Sequence, residues 1–524
     1  MLLALATGLA ACGESGPLPF VPTAEPTPVL PRQVTVVASE AGSGEPVRDV
    51  TVAGDSLPPV TGREGRVEIS ALTGAELQIS ADGYEPVEAT VPADGELAVE
   101  LRRNEVRGVV TDAGGDPIEG VRVFVDGAQS WVRTDRRGRY ELPGVPAEGT
   151  IIYKMAGFRL AEAPIGEQMD IDVALEPFET RALYAPGLVF EGPGRLDALL
   201  RLIERTEANA IVIDVKETGG WLYYETDLPE AVESGAADRP IFDLAELLPR
   251  LKERGIYTIA RMVCMKDNTV GASRPELAVR NSANGGPWRD NIGGIWLDPA
   301  APGVGEYMAA IAGDLADKGF DEVQLDYIRF FSDGPYDVAD PNLPNSQSFR
   351  LPAIRRVMRV ISDRMATERA FLAADVFPIS FIVPDDQGIG QRPEVMMPYV
   401  DYFSPMVYPS HYGPGIFNHA VPNRAPYDVI DKTLEIMNRQ SRGLPMRIRP
   451  WIQDFGYGPF PPYSASQIRA EMRALEDNGA AGWMIWNAQA RFTEAALGGP
   501  RRDEDAGHTE IGVEAGSPSA SSSG

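Results

Sequence analysis

Hydrophobic and polar positions alternate in two rhythms along the chain, and the change falls near residue 181. Upstream, runs such as VTVVA (34–38) and VRVFV (121–125) follow a period of two and are bounded by Gly, Pro and Asp. That is the pattern of half-buried strands in small β-sandwiches. Downstream, short β-rich runs alternate with helix-length amphipathic stretches, as in parallel βα units. Eight strands are predicted, over 182–190, 210–216, 256–263, 322–330, 371–377, 402–408, 446–452 and 482–487. Helices are predicted over 195–207, 242–255, 306–319 and 466–479, the last three closing on Gly. Eight such units predict a (β/α)8 TIM barrel over 181–497. An open doubly wound sheet is the alternative, but no Gly-rich phosphate fingerprint follows the first strand.

The strand-rich part is an internal repeat. GEPVRDVTV (44–52) matches GDPIEGVRV (115–123), TGREGRVEI (61–69) matches TDRRGRYEL (134–142), and ADGYEPVEA (81–89) matches MAGFRLAEA (155–163). Two tandem sandwich modules follow, 32–102 and 103–177, giving a multidomain chain of two small all-β sandwiches and a barrel. The second, most clearly over 104–176, resembles the carboxypeptidase regulatory-like β-sandwich. Neither copy gathers acids, His or Cys, and both read as spacer or adhesion modules. Trp131 is open to two readings, a carbohydrate contact or packing.

Charge narrows the partners. The 524 residues carry 48 Lys and Arg against 76 Asp and Glu, a net charge of −28. Nucleic acid and anionic lipid are poor partners for such a field, whereas a polysaccharide is compatible. The two cysteines, Cys12 and Cys264, exclude a disulfide framework. Cys264 sits in an apolar run and reads as a core thiol. Cys12 ends MLLALATGLAAC, and Leu9-Ala10-Ala11-Cys12 resembles a bacterial lipobox. The resemblance implies a signal peptide over 1–11, cleavage before Cys12, lipidation of its thiol and a lipid-anchored place in the cell envelope. Residues 12–31 are Pro-rich and read as a tether. Residues 498–524 are small and polar and read as a disordered tail.

The candidate chemistry lies where a barrel gathers its C-terminal strand ends. Those ends carry Asp214, Lys216 and Glu217, then Arg261 and Lys266, then Asp326, Tyr327 and Arg329, then Asp375. Tyr408 and His411 follow strand six, Gln453 and Asp454 strand seven, and Trp486 and Asn487 strand eight. Alternation puts Gln324 and Asp326 on one face of strand four and Ala373 and Asp375 on one face of strand five. Both aspartates can point inward, the equipment of glycoside hydrolysis. Trp288, Tyr327, Tyr408, Trp451 and Trp486 could stack on sugar rings. Other chemistries are poorly supplied: there are three His, no GxSxG elbow and no nucleotide fingerprint, so no cofactor or metal is expected.

Blocks across the whole barrel carry a family resemblance. IVIDVKETGG (211–220), WRDNIGGIWLDP (288–299), DEVQLDYIRFFSDG (321–334), AADVFP (373–378), DYFSPMVYPSHYGPG (401–415), RPWIQDFGYG (449–458) and GWMIWNA (482–488) resemble the bacterial glycosyl hydrolase domain family of undefined specificity. That family's barrel is related to the α-amylase-like hydrolases. The resemblance implies Asp326 as nucleophile and an acid/base from strand five or later. Asp375 fits by position, although α-amylase-like enzymes place Glu there, and Asp454 is the reserve. The implied function is cleavage of an envelope or extracellular polysaccharide. The alternative is a catalytically silent glycan-binding or adhesion lipoprotein.

Overall fold

In the computed structural model the described residues are 30–499, apart from Ser56 and Glu167. The expectations for 1–11, most of the 12–31 tether, Cys12 and all but the first two residues of the tail therefore lie outside them. The chain divides into two compact units, Met1–Arg103 and Asn104–Gly524.

The first unit is a sandwich. A sheet ordered Arg66–Ala71, Arg32–Glu40, Glu96–Leu101 packs on one ordered Leu57–Thr61, Thr51–Gly54, Glu76–Ser80, Val87–Thr90. Alternation supplies the core: in Arg66–Ala71 every second residue is buried, and Val34, Val36, Val67 and Ile69 meet Val52, Leu77 and Ile79. The second unit opens with the same seven-strand order. Arg139–Pro143, Glu105–Asp112 and Val173–Leu175 form one sheet, and Trp131–Arg133, Arg122–Val125, Gly149–Lys154 and Ala161–Ile165 the other. The sequence repeat is thus a repeat of topology.

The rest of the second unit is a parallel barrel. Its strands are Thr180–Ala185, Ala210–Lys216, Tyr257–Val263, Glu322–Asp326, Phe371–Val376, Tyr402–Pro405, an interrupted seventh (Arg447–Ile448 and Trp451–Gln453) and Gly482–Trp486. Each pairs in parallel with its neighbours, and the seventh strand closes the ring through its two halves. Alternation divides every strand. Leu183, Ile211, Ile213, Ala260, Met262, Val323, Leu325, Leu372 and Ala374 pack against the helices. Ala182, Tyr184, Val212, Ile259, Trp451 and Met484 fill the lumen.

Several strands are shorter than their apolar runs or broken, the sixth stopping at Pro405 rather than 408. Strand four stops at Asp326, not 330, because Tyr327 takes a positive φ of 53° and turns the chain out of the sheet. Strand one ends at Ala185, where Pro186 leads into a 3-10 turn, Gly187–Val189. Strand seven breaks at Arg449–Pro450, since Pro450 has no N–H for the ladder.

The N-terminal end of the lumen is closed by charge. Arg449 pairs with Glu322 through Nη1 and Nη2, and each side chain is fully buried. Tyr257 Oη donates to Glu322 Oε2 at 3.1 Å. The second sandwich docks beneath this end. Lys154 Nζ donates to the carbonyls of Ala370 (2.5 Å) and Glu368 (3.0 Å) and lies 3.7 Å from Asp401 Oδ2. Gly157 N–H donates to Tyr402 Oη at 2.9 Å.

Removing one partner of a buried pair leaves the other charge uncompensated. Arg449→Met should therefore cost about 3–5 kcal/mol of stability, read by urea denaturation followed by tryptophan fluorescence. The double change Glu322→Gln/Arg449→Met should cost less than Arg449→Met alone.

Candidate active site

The opposite, C-terminal end of the barrel holds a cluster of acids around one cation. Strands two to five each deliver one inward side chain to it: Asp214, Arg261, Asp326 and Asp375. Register places Asp214 opposite Arg261, and Leu325 opposite Ala374, so Asp326 and Asp375 are the next pair up. Arg261 lies between them. Its Nη1 donates to Asp214 Oδ1 at 2.5 Å, and its Nε and Nη2 donate to Asp326 Oδ2, the former at 3.0 Å. Nε also stands 4.0 Å from Asp375 Oδ2, and Nη1 4.0 Å from Glu217 Oε1.

The carboxyl environments differ. Asp326 faces donors: Arg261, and the N–H of Tyr327 at 2.6 Å on Oδ1. That N–H is aimed by the left-handed conformation of Tyr327, a strained backbone at the point where the strand ends. The N–H of Cys264, itself a fully buried thiol, holds the Asp326 carbonyl at 2.8 Å. Asp375 is 1% exposed, and Trp451 Nε1 donates to its Oδ1 at 2.8 Å. Burial and the neighbouring Asp326 hold Asp375 well above the ordinary carboxyl range, against Arg261 and the indole. Burial likewise pushes Asp214 up to about 8 despite Arg261, while Tyr184 Oη donates to its Oδ2. Glu217, with a third of its side chain exposed, is the accessible acid of the group.

Aromatic rings surround the cluster. Trp486, half-buried, stacks on Tyr184 with centroids 4.0 Å apart and lies 5.2 Å from the Arg261 guanidinium carbon. Tyr408 packs against His411 and Phe455, and exposed His411 stacks on Tyr457 at 4.2 Å. Tyr184 was not among the predicted site residues. Its signal was the alternation Ala182–Tyr184 on the lumen face of strand one.

Several expected contacts are displaced. Trp288 is fully buried against Phe331, and its Nε1 donates to Pro335 O at 3.0 Å, because the loop after strand four folds over it. Lys216 is fully buried. A register shift after Asp214 turns it toward Asp267 (2.9 Å) and the Val263 carbonyl (2.7 Å). The turn above that pair requires Gly220, at φ 91°, since a Cβ would stand 2.0 Å from Asp267 Oδ1. Arg329 does not pair with Asp326. It donates to Phe330 O and Ser332 Oγ and lies 4.6 Å over Trp296, leaving Arg261 as the charge beside Asp326. Trp451 is 1% exposed and holds Asp375 rather than offering a ring face. Gln453 is buried and braces the loop of His411 through Ser410 N–H. Asp454, the reserve acid, has both oxygens on Thr493, and Asn487 ties Asp454 O to Arg491 O. Both secure the segment that follows strand eight.

Comparison with known proteins follows this division. Residues 182–492 match the family described as "Putative glycosyl hydrolase domain", and 105–176 the carboxypeptidase regulatory-like domain. A hypothetical protein of Ruminiclostridium thermocellum with a solved structure is 34% identical. The match covers 37% of this chain and 97% of that one, with a TM-score of 0.33. The glycoside hydrolase domain of PgaB (BpsB) from Bordetella bronchiseptica is 14% identical over 60% of this chain and 95% of that one, with a TM-score of 0.44. A curated relative, the TonB-dependent receptor P39 of Formosa agariphila, is 34% identical over 74 residues, 14% of this chain and only 7% of that protein's length.

The Asp214 environment sets a pH dependence. The folded chain keeps this proton up to about 8, whereas an unfolded carboxyl releases it near 3.8. Unfolding therefore releases a proton within that window, and stability falls as pH rises through it. Urea denaturation across the window should show wild type losing stability relative to Asp214→Asn as pH rises.

Proposed function

The chain belongs to this glycosyl hydrolase domain family, and from that premise we propose that it cleaves glycosidic bonds of an envelope or extracellular polysaccharide with Asp326 and Asp375 as the working carboxyls. The observation that carries this reading is the unequal pair at adjacent strand ends. One carboxyl accepts from the Arg261 guanidinium and a backbone N–H, while burial and that neighbour hold the other well above the ordinary carboxyl range. An acid and a base at one bond need that asymmetry.

Asp326 attacks the anomeric carbon as the glycosidic C–O bond breaks, and the leaving oxygen takes the proton of Asp375. Water then enters, returns that proton to Asp375 and releases the sugar from Asp326. A single Arg261 Nε lies 3.0 Å from one carboxyl and 4.0 Å from the other. Such closeness suits the short separation of retaining enzymes, roughly 5 Å, better than the 6.5–9.5 Å typical of inverting ones. Trp486 offers a ring at the centre of the mouth, and the His411–Tyr457 stack offers one at its rim.

One observation favours a second assignment of the acid. Asp375 is almost wholly enclosed, whereas the Glu217 side chain is a third exposed. In that reading Glu217 donates the proton and Asp375 shapes the field beneath Asp326. For placement, we propose that the Leu9–Cys12 motif anchors the protein in the envelope through lipid on Cys12. Cys12→Ala should then abolish incorporation of labelled fatty acid.

Asp326→Asn should lower turnover of a cleaved polysaccharide by about 10³-fold or more. Undiminished turnover would sink the assignment, and glycan binding without turnover of any polymer would sink hydrolysis itself. The acid is identified with aryl glycosides, whose good leaving groups need no proton. The variant among Asp375→Asn and Glu217→Gln that keeps aryl-glycoside cleavage while losing polysaccharide cleavage marks the donor. ¹H NMR of the first-formed anomer tests retention.

A further inference from the structure

A cavity of about 430 Å³ lies where the second sandwich meets the barrel's N-terminal end, away from the acid cluster. Arg122, Trp131, Arg133 and Lys154 line its sandwich side, and Ala366 and Asp401 its barrel side. Its charge runs against that of the chain: in a protein of net charge −28, two guanidiniums converge on it beside Lys154, whose amine burial pulls down to about 7. Arg122 and Arg133 are direct cross-strand partners, a like-charge pairing that destabilises a sheet unless an anion lies between.

Two acids also line it: Asp363, which is exposed and makes no ion pair among the described residues, and Asp401. Asp401 is shared, 3.5 Å from Arg122 and 3.7 Å from Lys154. Lys154 is further committed to main-chain carbonyls of the barrel. Arg122 Nε is buried without an acceptor among the described residues. Arg133 donates to the carbonyl of Gly120 at 2.7 Å, and no described carboxylate lies within ion-pair reach of it. Trp131 shares the strand and face of Arg133, two residues away. It is 40% exposed, with the guanidinium carbons of Arg122 and Arg133 at 5.5 and 5.2 Å from its ring centroid.

A planar ring held open beside guanidinium forks fits a ligand with both an apolar ring face and a carboxylate. We propose that this cavity binds a carboxylated saccharide, a uronate unit of an acidic glycan, with Arg122 and Arg133 on the carboxylate and Trp131 against the sugar face. The site is separate from the acid cluster and stands whether or not that cluster hydrolyses the polymer.

The test is affinity electrophoresis of the intact chain through gels containing polygalacturonate, hydroxyethylcellulose or poly-glutamate, at about 0.15 M salt, where long-range surface charge is screened. The Asp326→Asn background prevents turnover. Polygalacturonate should retard the protein, and the two controls should not. Trp131→Ala and Arg133→Ala should each weaken retardation, and together by about tenfold or more, with thermal unfolding unchanged. Should Arg133→Ala perturb folding, Trp131→Ala alone must still weaken retardation. Equal retardation of the variants and the parent overturns the proposal. Poly-glutamate acting as strongly as polygalacturonate would show charge binding without a sugar site, and equal retardation by hydroxyethylcellulose would remove the role of the carboxylate. Either result also overturns it.

Discussion

One guanidinium serves more carboxyls than it can neutralise. Arg261 contacts Asp214 and Asp326 directly and lies 4.0 Å from both Asp375 and Glu217. Burying several unpaired carboxylates together would cost far more than a domain's net stability. Burial and the one shared cation therefore act on each carboxyl differently. Burial holds Asp214 and Asp375 above the ordinary carboxyl range, while Asp326 accepts two guanidinium N–H groups on one oxygen and a backbone N–H on the other. Unequal carboxyl environments are thus a condition of the folded barrel before any substrate arrives.

Much of this was legible in the sequence because strand alternation is a local rule. Gln324–Asp326 and Ala373–Asp375 follow from a period of two, and the eight βα units fix which ends converge. The chain's own turns were harder to read. VQLDYIRFF is continuous in hydropathy, yet the strand ends at Asp326 because Tyr327 adopts a left-handed conformation. Arg329 consequently leaves the pocket for Trp296. Lys216 failed for a similar reason, since one register shift breaks the alternation that would have turned it inward. Trp288 and Trp451 were indistinguishable from Trp486 by residue type. What separates them is which loop covers each ring, a matter of packing between distant segments.

The second sandwich is joined to the barrel by a small apolar cluster, Ala156 with Phe371 and Tyr402, ringed by polar latches. Lys154 on barrel carbonyls, Gly157 on Tyr402 and the Arg122–Asp401 pair each need defined geometry. The docked module therefore has one orientation relative to the barrel, and residues 120–133 lie in a fixed place beside residues 362–366 and 398–401. A spacer would need no such definition.

Barrels of this kind are usually divided into a stability face at the N-terminal ends of the strands and a catalytic face at the other. The interrupted seventh strand links the two. Arg449 closes the lower lumen on Glu322, and Trp451, two residues on, holds Asp375. Both point inward from one short segment, separated by about 7 Å of chain. A substitution that relaxed the lower pair would move the indole with it. Selection for a stable barrel and selection for the set of the buried acid thus act on the same backbone, and a variant chosen for either trait alone would carry a change in the other.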